Sequence, residues 1–78
     1  MDRTNIKVMG GGCGKCETLL RNTKEAVKMA GISADIEYIT DFGVMAGYGI
    51  MSTPALIVNE KVVSTGRVLK PADIEKLL

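Results

Sequence analysis

Apolar and polar positions follow two rhythms along this chain, and the changes of rhythm mark its elements. Thr4 to Met9 sets Ile6 and Val8 on one face with polar residues between them, the period-two pattern of a strand. From Lys15 the period lengthens. Cys16, Leu19, Leu20, Thr23, Val27 and Ala30 recur at helical spacing, while Lys15, Thr18, Arg21, Asn22, Lys24, Glu25 and Lys28 cover the wet side. Glu17 and Arg21 form an i,i+4 pair of the favourable sense. Ala34 to Thr40 predicts a second strand that alternates only in part, which suits a sheet edge. Asp41 is a good N-cap for a short helix from Phe42 to Tyr48. Ala55 to Val58 and Lys61 to Thr65 predict two further strands, and the two residues between them, Asn59 and Glu60, predict an antiparallel hairpin. Pro71 suits the first position of a last helix with Ile74, Leu77 and Leu78 as its buried side.

Glycines punctuate this pattern. Gly31 followed by Ile32, and Gly49 followed by Ile50, read as helix ends in which a left-handed residue precedes an apolar contact back to Val27 and to Met45. Gly43 and Gly47 weaken the short helix, so packing must hold it. Gly66 ends the fourth strand, and Glu60 stands where a tight hairpin turn prefers glycine. Gly10-Gly11-Gly12-Cys13-Gly14 frees the backbone to turn sharply and to approach something closely. The order is βαβαββα, an α/β chain. Its first strand–helix–strand unit implies a parallel pair with a right-handed crossover, and the hairpin adds antiparallel strands. The expected architecture is a mixed four-stranded sheet with helices on both faces, in one domain spanning residues 1–78.

Composition narrows the function. At 78 residues and 46% apolar content, the chain makes one small domain with no room for a second substrate-binding one. Ten basic against nine acidic residues give a net charge of +1, which provides no field for gripping phosphates and disfavours nucleic acid. The absence of His removes imidazole bases, His-ligated metal sites and Cys–His pairs. The longest apolar run, Ala55 to Val58, is far short of the roughly 20 residues a membrane span needs. The polar start Met1-Asp2-Arg3-Thr4-Asn5 carries no secretion-like stretch, so a cytoplasmic protein is expected. Small size and the lack of a long exposed apolar face make a monomer the expected state. Lys61, Arg67 and Lys70 read as solvated surface, Met9, Met45 and Met51 as core, and Phe42, Tyr38 and Tyr48 as packing residues.

Both cysteines of the chain stand in one motif, Cys13-Gly14-Lys15-Cys16. A bridge closing so short a loop staples almost nothing, and in a reducing compartment the pair reads as redox-active or metal-binding. Cys13 follows a strand and precedes a helix, where free N–H groups and the helix dipole favour thiolate, the dipole by up to ~2 kcal/mol. Lys15 adds a screened contribution. Cys16 lies one turn in, on the buried stripe, where a thiol stays protonated. One sulfur exposed and nucleophilic with a second behind it is what disulfide exchange needs: Cys13 attacks a disulfide, and Cys16 then attacks Cys13 and releases the reduced substrate. Two other readings stay open at this point, a pair of buried inert cysteines and a soft-metal pair.

A strand, a Cys-x-x-Cys at a helix start, and Ser52-Thr53-Pro54 opening a hairpin together resemble the thioredoxin fold, and more closely the small thioredoxin/glutaredoxin-like proteins called redox-active disulfide protein 2. The resemblance rests on Gly49-Ile50-Met51-Ser52-Thr53-Pro54-Ala55-Leu56 downstream of the cysteines, then Val62-Val63-Ser64-Thr65-Gly66-Arg67 and the last helix, and so spans nearly the whole chain. It implies a minimal thioredoxin-like fold and a thiol–disulfide oxidoreductase without a cofactor. It implies protein disulfides as substrates, a separate reductase or thiol reductant as partner, a cis Thr53–Pro54 bond, and Thr53 pairing its backbone with an extended substrate. Gly12, Gly14 and Lys15, which flank the sulfurs, are expected to meet the same substrate.

The chain also departs from the family. Typical thioredoxins have Trp before the first Cys and Pro inside the motif, where this chain has Gly12 and Lys15. They have a buried acid behind the second Cys, and Ile6-Lys7-Val8-Met9 supplies none. Ser64-Thr65-Gly66-Arg67 does not match the Gly-Gly-acid glutathione site of glutaredoxins. The competing functions are a soft-metal carrier and a catalytically silent interaction module. Copper chaperones share Gly-x-x-Cys-x-x-Cys before a helix, partly matched by Gly10 to Cys16, but their order is βαββαβ.

Overall fold

The structure is a computed structural model and describes residues 4–11 and 14–78. Its elements are β1 (Thr4–Met9), α1 (Gly14–Ala30), β2 (Ala34–Ile39), α2 (Phe42–Gly47), β3 (Ala55–Val58), β4 (Lys61–Thr65) and α3 (Pro71–Glu75). The strands form one sheet in the order β2-β1-β3-β4. β1 runs parallel to β2 and antiparallel to β3, and β3 pairs antiparallel with β4. β2 is therefore at an edge, as its partial alternation predicted. The expected βαβαββα order holds, and its final α3 separates the chain from the βαββαβ order of copper chaperones.

Strand alternation sorts the apolar residues onto two faces. Ile6 and Val8 of β1 join Leu56 and Val58 of β3, Leu19 and Ala26 of α1 and Ile74 of α3 in the larger core. Met9, Ala55 and Ile57 turn the other way and meet Met45 and Ile50 at α2 in a smaller core. Helices thus cover both faces. The α1 stripe is as expected at Cys16, Leu19 and Thr23, whereas Ala26 is the fourth fully buried position and Ala30 is only half-buried. Thr23 is tolerated inside because its hydroxyl donates to the Leu19 carbonyl at 2.7 Å.

The helix ends follow the glycines. Gly49 has φ +74°, its N–H donates to the Ala46 carbonyl, and the Ile50 N–H reaches the Met45 carbonyl, both at 3.0 Å. This pair of bonds is the Schellman closure, and Met45 and Ile50 meet in the smaller core as its apolar contact. The Gly31 N–H donates to the Val27 carbonyl at φ +66°, but Ile32 stays more than a third exposed. Asp41 caps α2 through its Oδ1, 2.7 Å from the Gly43 nitrogen. α3 is too short to persist alone, and it is held by Ile74. Leu77 is 41% exposed rather than buried, because α3 stops at Glu75 before a further turn can carry it inward.

The hairpin turn resolves the oddity of Glu60. Asn59 and Glu60 have φ of +50° and +68°, the backbone of a type I′ turn. Asn59 suits it, and its Oδ1 accepts the Asn5 N–H at 3.0 Å while its own N–H donates to the Asn5 carbonyl at 2.7 Å. Glu60 is strained there, but its carboxylate accepts from Lys7 Nζ and from the Tyr48 hydroxyl, each at 2.5 Å. Lys7 also donates to Tyr48 Oη at 3.2 Å. The sequence offered no sign of this triad. Tyr48 does pack against the smaller core as expected, and its polar end does this second job.

Candidate active site at one end of the sheet

The register brings distant motifs to one place. Met9, at the end of β1, pairs with Ala55, at the start of β3. Gly10, which follows β1, therefore lies beside Thr53 and Pro54, which precede β3. Gly10 continues the β1–β2 ladder by donating to the Ile39 carbonyl at 3.0 Å. β2 leads through Asp41 into Phe42, whose Cζ lies 4.0 Å from where a β-carbon on Gly11 would sit. On the far side, the Gly66 N–H donates to the Pro54 carbonyl at 2.8 Å, and the Ser52 β-carbon lies 3.3 Å from a β-carbon position on Gly66. The first turn of α1, Gly10, Gly11, Phe42, Ser52–Pro54 and Gly66 thus gather at the C-terminal end of β1.

Cys16 is fully buried on the underside of α1. Gly10 is the reason it fits. A β-carbon at residue 10 would stand 2.2 Å from Cys16 Sγ and 2.5 Å from its Cβ, well inside any contact distance. The turn's expected close approach is therefore real, and its target is the second cysteine. The same point is 3.4 Å from the Tyr38 hydroxyl oxygen, which is itself buried. Tyr38 stands on the α1 face of β2, next to Val8 in the parallel register, and its ring packs on the larger core. Its position on that face was legible from its alternation with Ile36. The approach of its hydroxyl to Gly10 was not.

The other expected site residues divide. Gly14 opens α1 and is exposed, as is Lys15. Gly14 also accepts the Thr18 hydroxyl at 2.8 Å through its carbonyl. Thr53 is exposed, Pro54 is buried, and the peptide between them is cis. Gly12 and Cys13 lie outside the described residues. Two residues read as interior are not. Met51 is 97% exposed and Phe42 is 70% exposed, because neither lies in a segment whose period assigns it a face. Met9 and Met45 are core, as expected. Lys61, Arg67 and Lys70 are solvent-exposed. Among the described residues no helix is long and apolar enough to cross a membrane.

A mixed four-stranded sheet sandwiched by helices, with Cys16 buried in the first turn of α1 at the sheet end that carries the cis Thr53–Pro54 bond, defines a thioredoxin-like protein. The thioredoxin domain profile matches residues 4–78. The chain is 36% identical over 73 residues to a thioredoxin of Methanothermobacter thermautotrophicus, an alignment covering 94% of this chain and 95% of that one. It is 32% identical over 73 residues to a thioredoxin of Methanocaldococcus jannaschii, covering 94% and 84%. The chain belongs to the thioredoxin domain family, and its role in general terms is a thioredoxin-like redox one.

Proposed function

We propose that the chain is a protein thiol–disulfide oxidoreductase in which Cys13 is the attacking and Cys16 the resolving sulfur. The Cys13 thiolate attacks a client disulfide, forms a mixed disulfide and expels one client sulfur as a thiolate, which takes a proton from water. Cys16 then attacks Cys13, and the second client sulfur leaves and takes up the proton Cys16 lost. The client gains two electrons, and the protein is left with a Cys13–Cys16 bridge for a reductase or thiol reductant to reopen. The observation that carries this reading is the full burial of Cys16, in the first turn of α1 and at the sheet end shared with Thr53 and Pro54. A buried second sulfur is out of reach of a bulky partner but within reach of its motif neighbour.

The client class follows from the surface. Phe42 and Met51 expose apolar side chains at the same end, which suits an extended polypeptide more than a small polar disulfide. Thr53 is exposed just before β3, where its backbone can pair with such a segment by strand addition, and the exposed Gly14 and Lys15 open α1 at the same end. The protein works as a monomer in the reducing cytoplasm and needs no cofactor. Reduction of insulin disulfides in the presence of dithiothreitol tests this reading. Turnover by the wild type and none by Cys13→Ser supports it. Equal turnover by the two, or tight Cu(I) binding with no exchange activity, overturns it.

A further inference from the structure

Helix α1 and the edge strand β2 leave a groove of about 560 Å3 between them. It runs beside the second half of α1. Lys24 and Lys28 stand roughly 12 and 18 Å beyond Cys16 along the helix axis, at 1.5 Å per residue. The groove thus shares no residue with the sheet end that holds Cys16, Thr53 and Pro54. Its floor is apolar. Val27 and Ile36 pack on the larger core from the side, and Ile32, which was expected to close over Val27, stays exposed. Its wall along α1 is cationic: Arg21, Lys24 and Lys28 are exposed at i, i+3 and i+7, against one acid, Glu25. Among the described residues none of the three cations makes an ion pair. A chain of net charge +1 therefore gathers three of its ten basic residues at one apolar groove, a local feature and not a general basicity.

Apolar surface beside unpaired cations complements a partner with the reverse pattern. Acids at i, i+3 and i+7 of a partner helix repeat the rises of about 4.5 and 6 Å that separate the α1 cations, and apolar residues beside those acids reach the groove floor. A strand, whose same-face residues recur every ~6.6–6.8 Å, misses the shorter step. We infer that this groove docks an acidic amphipathic helix of a partner protein. A second copy of this chain does not offer one: α2 carries no acid, α3 offers Asp73 and Glu75 on a five-residue helix, and α1 sets Arg21 midway between Glu17 and Glu25. A partner held here leaves the Thr53 end open, so the docking stands whether or not the cysteines exchange disulfides.

The probe is a fluorescent synthetic helix with glutamates at i, i+3 and i+7 beside leucines, titrated with the full chain and mapped by amide chemical shifts. Saturable binding is expected, with shifts confined to the second half of α1 and to β2. Lys24→Glu with Lys28→Glu should weaken it roughly tenfold or more, and Ile32→Ser about three- to tenfold, with insulin reduction and the thermal midpoint unchanged. Lys24→Gln with Lys28→Gln, which adds no like charge beside Glu25, should weaken it about threefold in the same direction. Raising NaCl from about 0.1 to 0.5 M should weaken it several-fold. Absence of saturable binding overturns the inference, as do shifts centred elsewhere. So does equal binding of a peptide of the same composition whose glutamates and leucines alternate. Self-association of the chain that the charge reversal abolishes assigns the groove to a second copy, and binding seen only after deletion of residues 1–3 assigns it to the chain's own start. Either result overturns the partner helix.

Discussion

The two ends of the sheet are built on opposite terms. At the end holding the hairpin turn, polar side chains are spent locally: Asn59 on the Asn5 backbone, and Lys7 with Tyr48 and Glu60. At the other end, Phe42 and Met51 face water, Thr53 is uncovered, and the Cys16 sulfur is fitted tightly under Gly10. α2 spans the difference, since it starts at exposed Phe42 and finishes with Tyr48 in the polar triad. The contrast teaches that local order and chemistry are kept apart in a chain too small for a large core. One end is closed by side chains, so the other can leave side chains and backbone open to a partner.

Substitutions at the two ends should therefore fail differently. The largest effect falls on Cys13→Ser, which is expected to abolish insulin reduction while leaving the thermal midpoint unchanged. Loss of fold instead would break the separation. Next is Gly10→Ala. Its methyl group would sit against Cys16 Sγ, so urea unfolding should show a loss of roughly 1–3 kcal/mol. A neutral outcome would mean that Cys16 moves aside at no cost. Phe42→Ser and Met51→Ser come third. Each should raise KM for a protein disulfide by roughly three- to tenfold, leave a small disulfide unaffected and cost no stability.

The smallest effect belongs to the polar end. The Glu60 carboxyl lies below its ordinary value, first because of its hydrogen bond from Lys7 and then that from Tyr48. Lys7 lies above its ordinary value, chiefly through the same bond to Glu60. A lowered acid contributes stability that is complete above its unfolded value of 4.5 and is lost as pH falls through the lower folded one. A raised amine contributes below its unfolded value of 10.5 and loses that contribution as pH rises through the higher folded one. The stability difference between wild type and Glu60→Gln should accordingly be small and flat across the neutral range and vanish towards acid. A difference that persists well below pH 4.5 would show that Glu60 acts by shape.

Element order and most boundaries were legible in the sequence, because periodicity and helix caps are local signals. α1 begins one residue before Lys15, and α2 closes with Tyr48 as its C-cap; both differences are shifts of a single position. What escaped was long-range or aperiodic. Glu60 looked misplaced because the partner that accounts for it, Lys7, is 53 residues away in sequence. Met51 and Phe42 are apolar, but they sit where no repeat assigns a face. Of the site, the burial of Cys16 followed from its stripe. The reason for Gly10 did not: glycine was read there as freedom to turn, whereas the structure uses the room a missing side chain leaves.

The pairing of β1 with β3 also bears on when this protein becomes active. The crossover to β2 and the β3–β4 hairpin each join near neighbours, whereas Asn5 meets Asn59 across 54 residues. Closing so long a loop is the step entropy opposes most, and it depends on strands from both halves of the chain. A nascent polypeptide thus displays its cysteine motif early but acquires the opposing Thr53–Pro54 wall only when β3 docks. Until then the two sides of this sheet end stand apart, and the redox site proposed above is incomplete.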